Sequence, residues 1–319
     1  LGTIYPAAHP FRTGLTLAMF ALVVATMVLT ATLLRGVRFA YQDLQALTGG
    51  FQIRVQAADG SVALARLPEL LPQAEGFDAE SIVGLGSVTS TSVEVIQPGS
   101  GRASWRPLAV NAIDRGFAEH TELRLTSRAA GYASDREVWR ALVEQPGLAV
   151  ISGHNVPSRA DAAAEQPSSS FSLHGVSRED RSLRPQGVWV RDPRGGRAVK
   201  LTLIGVVDAR SSFGPGLYLS TDTLALTGNP LPAPRAYYLR LDERTVPRQA
   251  VLGLSLSLGA QGLQFVPLGE EVRRVQSIRV LATLLLESYL GLGLIAGVAS
   301  LGIVGLRAVV ERRQHIGVL

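Results

Sequence analysis

The sequence has 319 residues, 46% hydrophobic and 18% charged, with a mean hydropathy of +0.21 and a formal net charge of +5. Of its 31 basic residues only Lys200 is a lysine, so no Gly-Lys-Ser or Gly-Lys-Thr phosphate cradle exists, and thinly spread arginines with 6% aromatics argue against nucleic acid. It has no cysteine, which removes disulfide and thiolate chemistry, while 33 glycines and 17 prolines suit a chain that is part membrane and part loop-rich domain.

In chain order, residues 1–13 form a short segment ahead of an apolar run, and residues 14–34, GLTLAMFALVVATMVLTATLL, contain no charge. At 1.5 Å rise per residue that run reaches about 31 Å, the thickness of a hydrocarbon core. It is too long for the apolar part of a typical signal peptide. Residues 35–50 continue it as a helical stalk, because Val37, Ala40, Tyr41, Leu44 and Leu47 keep a three-to-four spacing up to a Gly49-Gly50 stop.

From residue 51 to 268 the pattern changes to short strands and turns. Phe51, Ile53 and Val55 alternate with polar residues, Asp59-Gly60 predicts a hairpin, and residues 61–67 are expected to return as its second strand. Residues 81–97 and 104–113 read as strands, and Ser134 with Glu137 makes a capping box ahead of a helix that Pro146-Gly147 ends. Residues 154–185 are polar and aperiodic, which predicts a long exposed loop or a partly disordered insertion. Strands follow at 188–190, 199–207, 217–219, 237–241 and 263–266, with a helix over 246–258. Hairpins mixed with isolated helices predict an α+β domain.

The chemistry in this domain is sparse. The five histidines, at positions 9, 120, 154, 174 and 315, lack metal-ligand spacing, and His120 between Glu119 and Glu122 reads as solvated loop. Ser152 and His154 in ISGHNV lack the Gly-x-Ser-x-Gly elbow, so a hydrolase reading is weak. No catalytic residue, cofactor or metal is assigned.

Residues 269–279 are expected to form a second stalk, with Val272, Val275 and Ile278 on one face and Glu270, Glu271, Arg273 and Arg274 on the others. Residues 280–306 form a second apolar run with one charge, Glu287, and Gly293 with Gly297 makes a small-xxx-small pair suited to close helix packing. Residues 307–319 begin a charged connection that stops at Leu319. Two spans put both ends on one side of a bilayer. Flanking arginines nearly balance, so the positive-inside rule does not orient them, but a connecting segment this long translocates largely regardless of charge.

Three strings resemble the FtsX-like permeases, the membrane subunits of MacB-type ABC transporters. They are YPAAHPFRTGLTLAMFALVVATMV (residues 5–28), LTLIGVVDARSSFGPGLYLS (201–220) and AGVASLGIVGLRAVVERRQHIGVL (296–319). The resemblance implies a MacB-like periplasmic core between two transmembrane helices with helical stalks, in a prokaryotic inner membrane, with about residues 36–279 extracytoplasmic. It implies a non-hydrolysing permease moved by a cytoplasmic ABC ATPase, exporting or extracting a lipid, lipoprotein, peptide or drug. Glu311, Arg312, Arg313, His315, Ile316 and Gly317 would lie at the ATPase contact. Other partners would be the bilayer and the remaining helices of the permease or a second copy. Permease halves of this kind have further spans, so the chain, which opens on Leu1, is expected to be an internal fragment. The alternative reading is a membrane-anchored extracytoplasmic sensor. A sensor would continue into a signalling helix pair with heptads.

Overall fold

The computed structural model describes residues 44–57, 64–99, 104–163, 171–228 and 231–274, with isolated positions between 18 and 32 and between 285 and 293. The chain divides into two units, Leu1–Gln42 with Arg273–Leu319, and Asp43–Val272. In the first unit the described positions are helical, including Ala18, Leu22, Val28, Leu285, Tyr289 and Gly293, and Thr32 Oγ1 donates to Val28 O at 2.8 Å. Among the described residues no helix is long and apolar enough to cross a membrane. Most of both apolar runs lies outside the described residues, as do Gly297 and the whole 307–319 connection with Glu311, Arg312, Arg313, His315, Ile316 and Gly317.

The second unit is built on one mixed sheet of eleven strands among the described residues. Its smaller lobe uses both ends of the unit. Strand β1 (Ile53–Ala57), a short helix α2 (Leu67–Leu70) and strand β2 (Ile82–Ile96) come from one end. Strand β10 (Ala236–Leu241), helix α7 (Pro247–Leu258) and strand β11 (Leu263–Pro267) come from the other. The spatial order β11-β1-β10-β2, antiparallel at every step, is the split βαβ arrangement, interrupted between its second and third strands by residues 97–235.

Alternation explains the small sheet. Ile53, Val55, Tyr237, Leu239, Leu263 and Phe265 point to one face and are buried against Ala250, Leu254 and Leu258, one stripe of α7 at four-residue spacing. Pro247, with its fixed φ, opens that helix. The expected hairpin from residue 51 to 67 does not form. Both edges of β1 are occupied by strands from the far end of the unit, so Leu67 instead starts a helix with Pro68 in its first turn, and residues 58–63 lie outside the described residues.

The larger lobe fills residues 97–235. Its strands are β3 (Arg106–Ile113), β4 (Leu125–Ala129), β5 (Leu148–Ser152), β6 (Ser182–Leu183), β7 (Gln186–Arg191), β8 (Val199–Val207) and β9 (Leu217–Ser220). Its helices are α3 (Arg115–His120), α4 (Asp135–Glu144), α5 (Arg159–Ala163) and α6 (Thr221–Ala225). β2 bonds β10 through residues 82–88, β3 through 88–95 and β7 through 94–96. Following the pairings gives β2-β3-β9-β5-β8-β7 and back to β2, a closed ring of six strands. Closure removes edges, and a ring this small is filled by side chains. Val110, Val150, Val188, Leu201, Leu203 and Leu217 belong to that buried cluster, with Trp139 and Leu142 of α4. α4 begins as expected, with Ser134 Oγ accepting from Glu137 N, although Glu137 returns its bond to Ala133 N and not to Ser134.

Candidate functional site at the stalk roots and the interlobe cleft

Helix α1 (Leu44–Thr48) is the described end of the segment expected as the entry stalk. It stops at Gly49 and Gly50, with φ of +63° and +80°, a conformation that glycine adopts without the Cβ penalty. A Cβ on Gly49 would also lie 2.9 Å from Leu123 Cγ. The free carbonyls of this helix end are taken by the large lobe. Leu47 O accepts from both the backbone N–H and the Oγ of Ser212, each at 2.9 Å, and Gly49 O accepts from Glu122 N at 2.8 Å.

The exit root lies beside it. Leu268 N donates to Gln52 O at 2.9 Å, residues 268–272 turn helical, and a Cβ on Gly269 would lie 3.3 Å from Leu44 Cδ2. Arg54 Nη2 meets Glu271 Oε1 at 3.1 Å. Arg54 Nε and Glu271 Oε2 are buried and have no hydrogen-bond partner among the described residues. Both ends of the unit therefore leave from one place: polar bonds tie the first to the large lobe and the second to the small one, while Leu268 of the second is also buried in the large core.

A cleft of about 590 Å³ opens between the lobes. Its floor is the sheet face opposite α7: Arg54 and Gln56 alternate with buried Ile53 and Val55, and Ala236 and Tyr238 alternate with Tyr237 and Leu239. Asn111, Tyr218 and the loop from Ser212 to Pro215 form a wall. That loop is held from several sides. Arg210 pairs with Asp208, Tyr218 Oη donates to Gly214 O at 2.7 Å, and Asn155 Oδ1 accepts from Gly216 N at 2.8 Å. Phe213 stands 4.8 Å from the Tyr238 ring, and Phe117 and Phe51 continue the aromatic contact at 5.7 Å each. Burial pushes the Tyr238 phenol up to about 12, with Arg54 pulling the other way, and burial raises Tyr218 further. Both phenols are neutral donors at ordinary pH.

Ser152 and His154 do meet, with Oγ 3.2 Å from Nδ1. Ser152 is fully buried and caps the short turn that carries His154, so its hydroxyl has a structural task. His120 is not solvated loop: it closes α3, with Nδ1 2.8 Å from Gly116 O and its ring against Gly84. Residues 154–185 are not a wholly exposed loop either. Phe171, Leu173, Val176 and Leu183 are buried, and Arg178 donates to Gly153 O and Val156 O at 3.0 and 3.1 Å. Four apolar side chains spread over thirteen residues satisfy no helix or strand period, which is why the segment reads as polar loop; residues 164–170 lie outside the described residues. Gly293 is helical and exposed, and among the described residues nothing lies within 4 Å of an added Cβ. Among the described residues no cluster of His, Asp or Glu is arranged to hold a metal.

No family model matches the chain, and no curated protein matches it. Among solved structures it is similar to the extracellular domain of the noncanonic ABC-type transporter YknZ from Gram-positive bacteria, at 10% identity and TM-score 0.36, over 68% of this chain and 98% of that one. It is similar to the periplasmic region of MacB from Actinobacillus actinomycetemcomitans, at 10% identity and TM-score 0.40, over 74% and 96%. A domain of a putative permease protein from Porphyromonas gingivalis is similar at 14% identity and TM-score 0.34, over 68% and 89%.

Proposed function

We propose that this chain is part of an FtsX-like ABC transporter permease that hydrolyses no ATP itself. Residues 14–34 and 280–306 span a prokaryotic inner membrane, and the two-lobed domain lies outside the cytoplasm and moves with the cycle of a separate ATPase. Gly293 and Gly297 would pack on neighbouring helices of the same permease or of a second copy, and Glu311, Arg312, Arg313, His315, Ile316 and Gly317 would meet the ATPase. The substrate class is a lipid, lipoprotein, peptide or drug.

One observation carries the reading. The two helix roots of the domain lie side by side, and each is bonded to a different lobe, through Ser212 to Leu47 and through Arg54 to Glu271. Relative movement of two helices so attached is movement of the two lobes. A tether that merely held a domain at a membrane would need neither bond. In the complex with its ATPase, Glu311→Ala combined with Arg312→Ala should lower transport-coupled ATP hydrolysis while the domain stays folded. Unchanged coupling and unchanged co-purification would overturn the contact.

A further inference from the structure

The interlobe cleft has the makings of a binding site. Its volume of about 590 Å³ lies within the range of small-molecule sites. Two guanidinium groups, Arg54 and Arg235, line it, and none of its described lining residues is acidic. Arg235 is exposed, so its guanidinium is open to an entering group, and Arg54 keeps a buried Nε without a hydrogen-bond partner among the described residues, as does Oε2 of its ion-pair partner Glu271. Buried polar groups are as a rule partnered, and an orphaned guanidinium N–H beside a cavity is accounted for by an acceptor that enters the cavity. Neutral donors stand close by: Asn111 from β3 and the Tyr238 phenol from β10. The partly exposed Tyr238 ring offers an apolar surface beside the charges, backed by Phe213, which is 5% exposed and 4.8 Å away.

We propose that the cleft binds an organic oxyanion, a phosphate or phosphodiester group held by Arg54 and Arg235 with its organic body against Phe213 and Tyr238. Arginine suits that task because its planar fork meets two oxygens at once and stays charged. Arg54 is already shared with Glu271 on the exit root, at 3.1 Å. An anion in the cleft therefore competes with Glu271 for one guanidinium, and occupancy is felt at the stalk. The site rests on the cleft alone, so loss of anion binding and loss of ATPase coupling are separate readouts.

The test is calorimetric titration of the full chain in neutral detergent with two probes, glycerol phosphate and a short-chain phosphatidylglycerol. Heat with both identifies the phosphate as the recognised group; heat with the lipid alone identifies a lipid headgroup as the source. Arg235→Gln should weaken either interaction about tenfold, the size expected for a charged hydrogen bond. Arg248→Gln, an exposed change of equal charge on α7, should leave it unaltered. Glu271→Gln should tighten it severalfold by removing the competitor. No binding of either probe, equal losses in the two arginine variants, or no tightening on loss of Glu271 would overturn the site.

Discussion

Single residues decide how closely the two lobes and their helices approach. Gly86 on β2 and Gly116 on α3 face each other where the strand passes under the helix. A Cβ at Gly86 would come 2.4 Å from Phe117 Cα, and one at Gly116 would come 2.1 Å from Leu85 O. Both obstacles are backbone, which cannot swing away. Gly86→Ala should therefore cost about 2–3 kcal/mol in urea unfolding, while Gly131→Ala, with open space and ordinary φ, should be near neutral. His154 supplies a pH test. Partial burial, and next Arg178, lower its pKa below the usual 6.5, against a smaller upward pull from Asp208. The unfolded chain then binds the proton more readily. The contribution is complete above pH 6.5 and is lost as pH falls through the folded value, so the unfolding midpoint should drop on acidification, with a shallower slope in His154→Gln. Neither glycine pairing nor proton affinity is visible in one dimension, because Gly86 and His154 acquire their neighbours from segments far along the chain.

At the scale of elements, local signals were reliable where a segment answers to its own neighbours. The Ser134 cap and the amphipathic pattern behind it yield α4, and Ser134→Ala should remove about 1 kcal/mol, measurable as a lower thermal midpoint. β8 begins and ends where its Val199–Val207 run does, and β7, β9, β10 and β11 fall within a residue or two of their apolar alternation. The signals failed where partners are distant. Asp59-Gly60 is a sound hairpin cue, but β1 was already flanked on both sides by β10 and β11. Leu173 and Val176 looked like polar loop because their burial depends on meeting the large core, not on any period. The site shows the same division. The string LTLIGVVDARSSFGPGLYLS marked the loop that binds the entry root, yet nothing in it pointed to Ser212 and Leu47 as the bond. Arg54 could have been suspected from its place between two buried strand positions, since a charged residue there faces either solvent or a cleft.

At the scale of the whole molecule, the layout can be probed cleanly because the chain has no cysteine. Cysteines at Leu44 and Gly269 should be joined by a short bifunctional maleimide, since Gly269 abuts the Leu44 side chain. The joined protein should retain its fold but lose ATPase coupling; coupling that survives complete crosslinking would show that the roots need not move. A single cysteine at Arg248 should react with a membrane-impermeant maleimide in intact cells, whereas reaction only after lysis would reverse the proposed topology. Finally, the interruption of the small lobe by residues 97–235 sets the order in which the chain can fold as it is made. A chain delivered from its N-terminus presents Ile53 and Val55 long before Leu239 and Phe265 arrive to cover them. The six-stranded ring can close while the small sheet is still half made, and the lobe that carries Gln52 and Arg54 completes last. Long-range pairing of this kind is slow and leaves apolar strands open to misassociation in the interval. The bonds from Leu268 N to Gln52 O and from Arg54 to Glu271 thus form only after both lobes are in place, so an unfinished domain does not bring its two ends together.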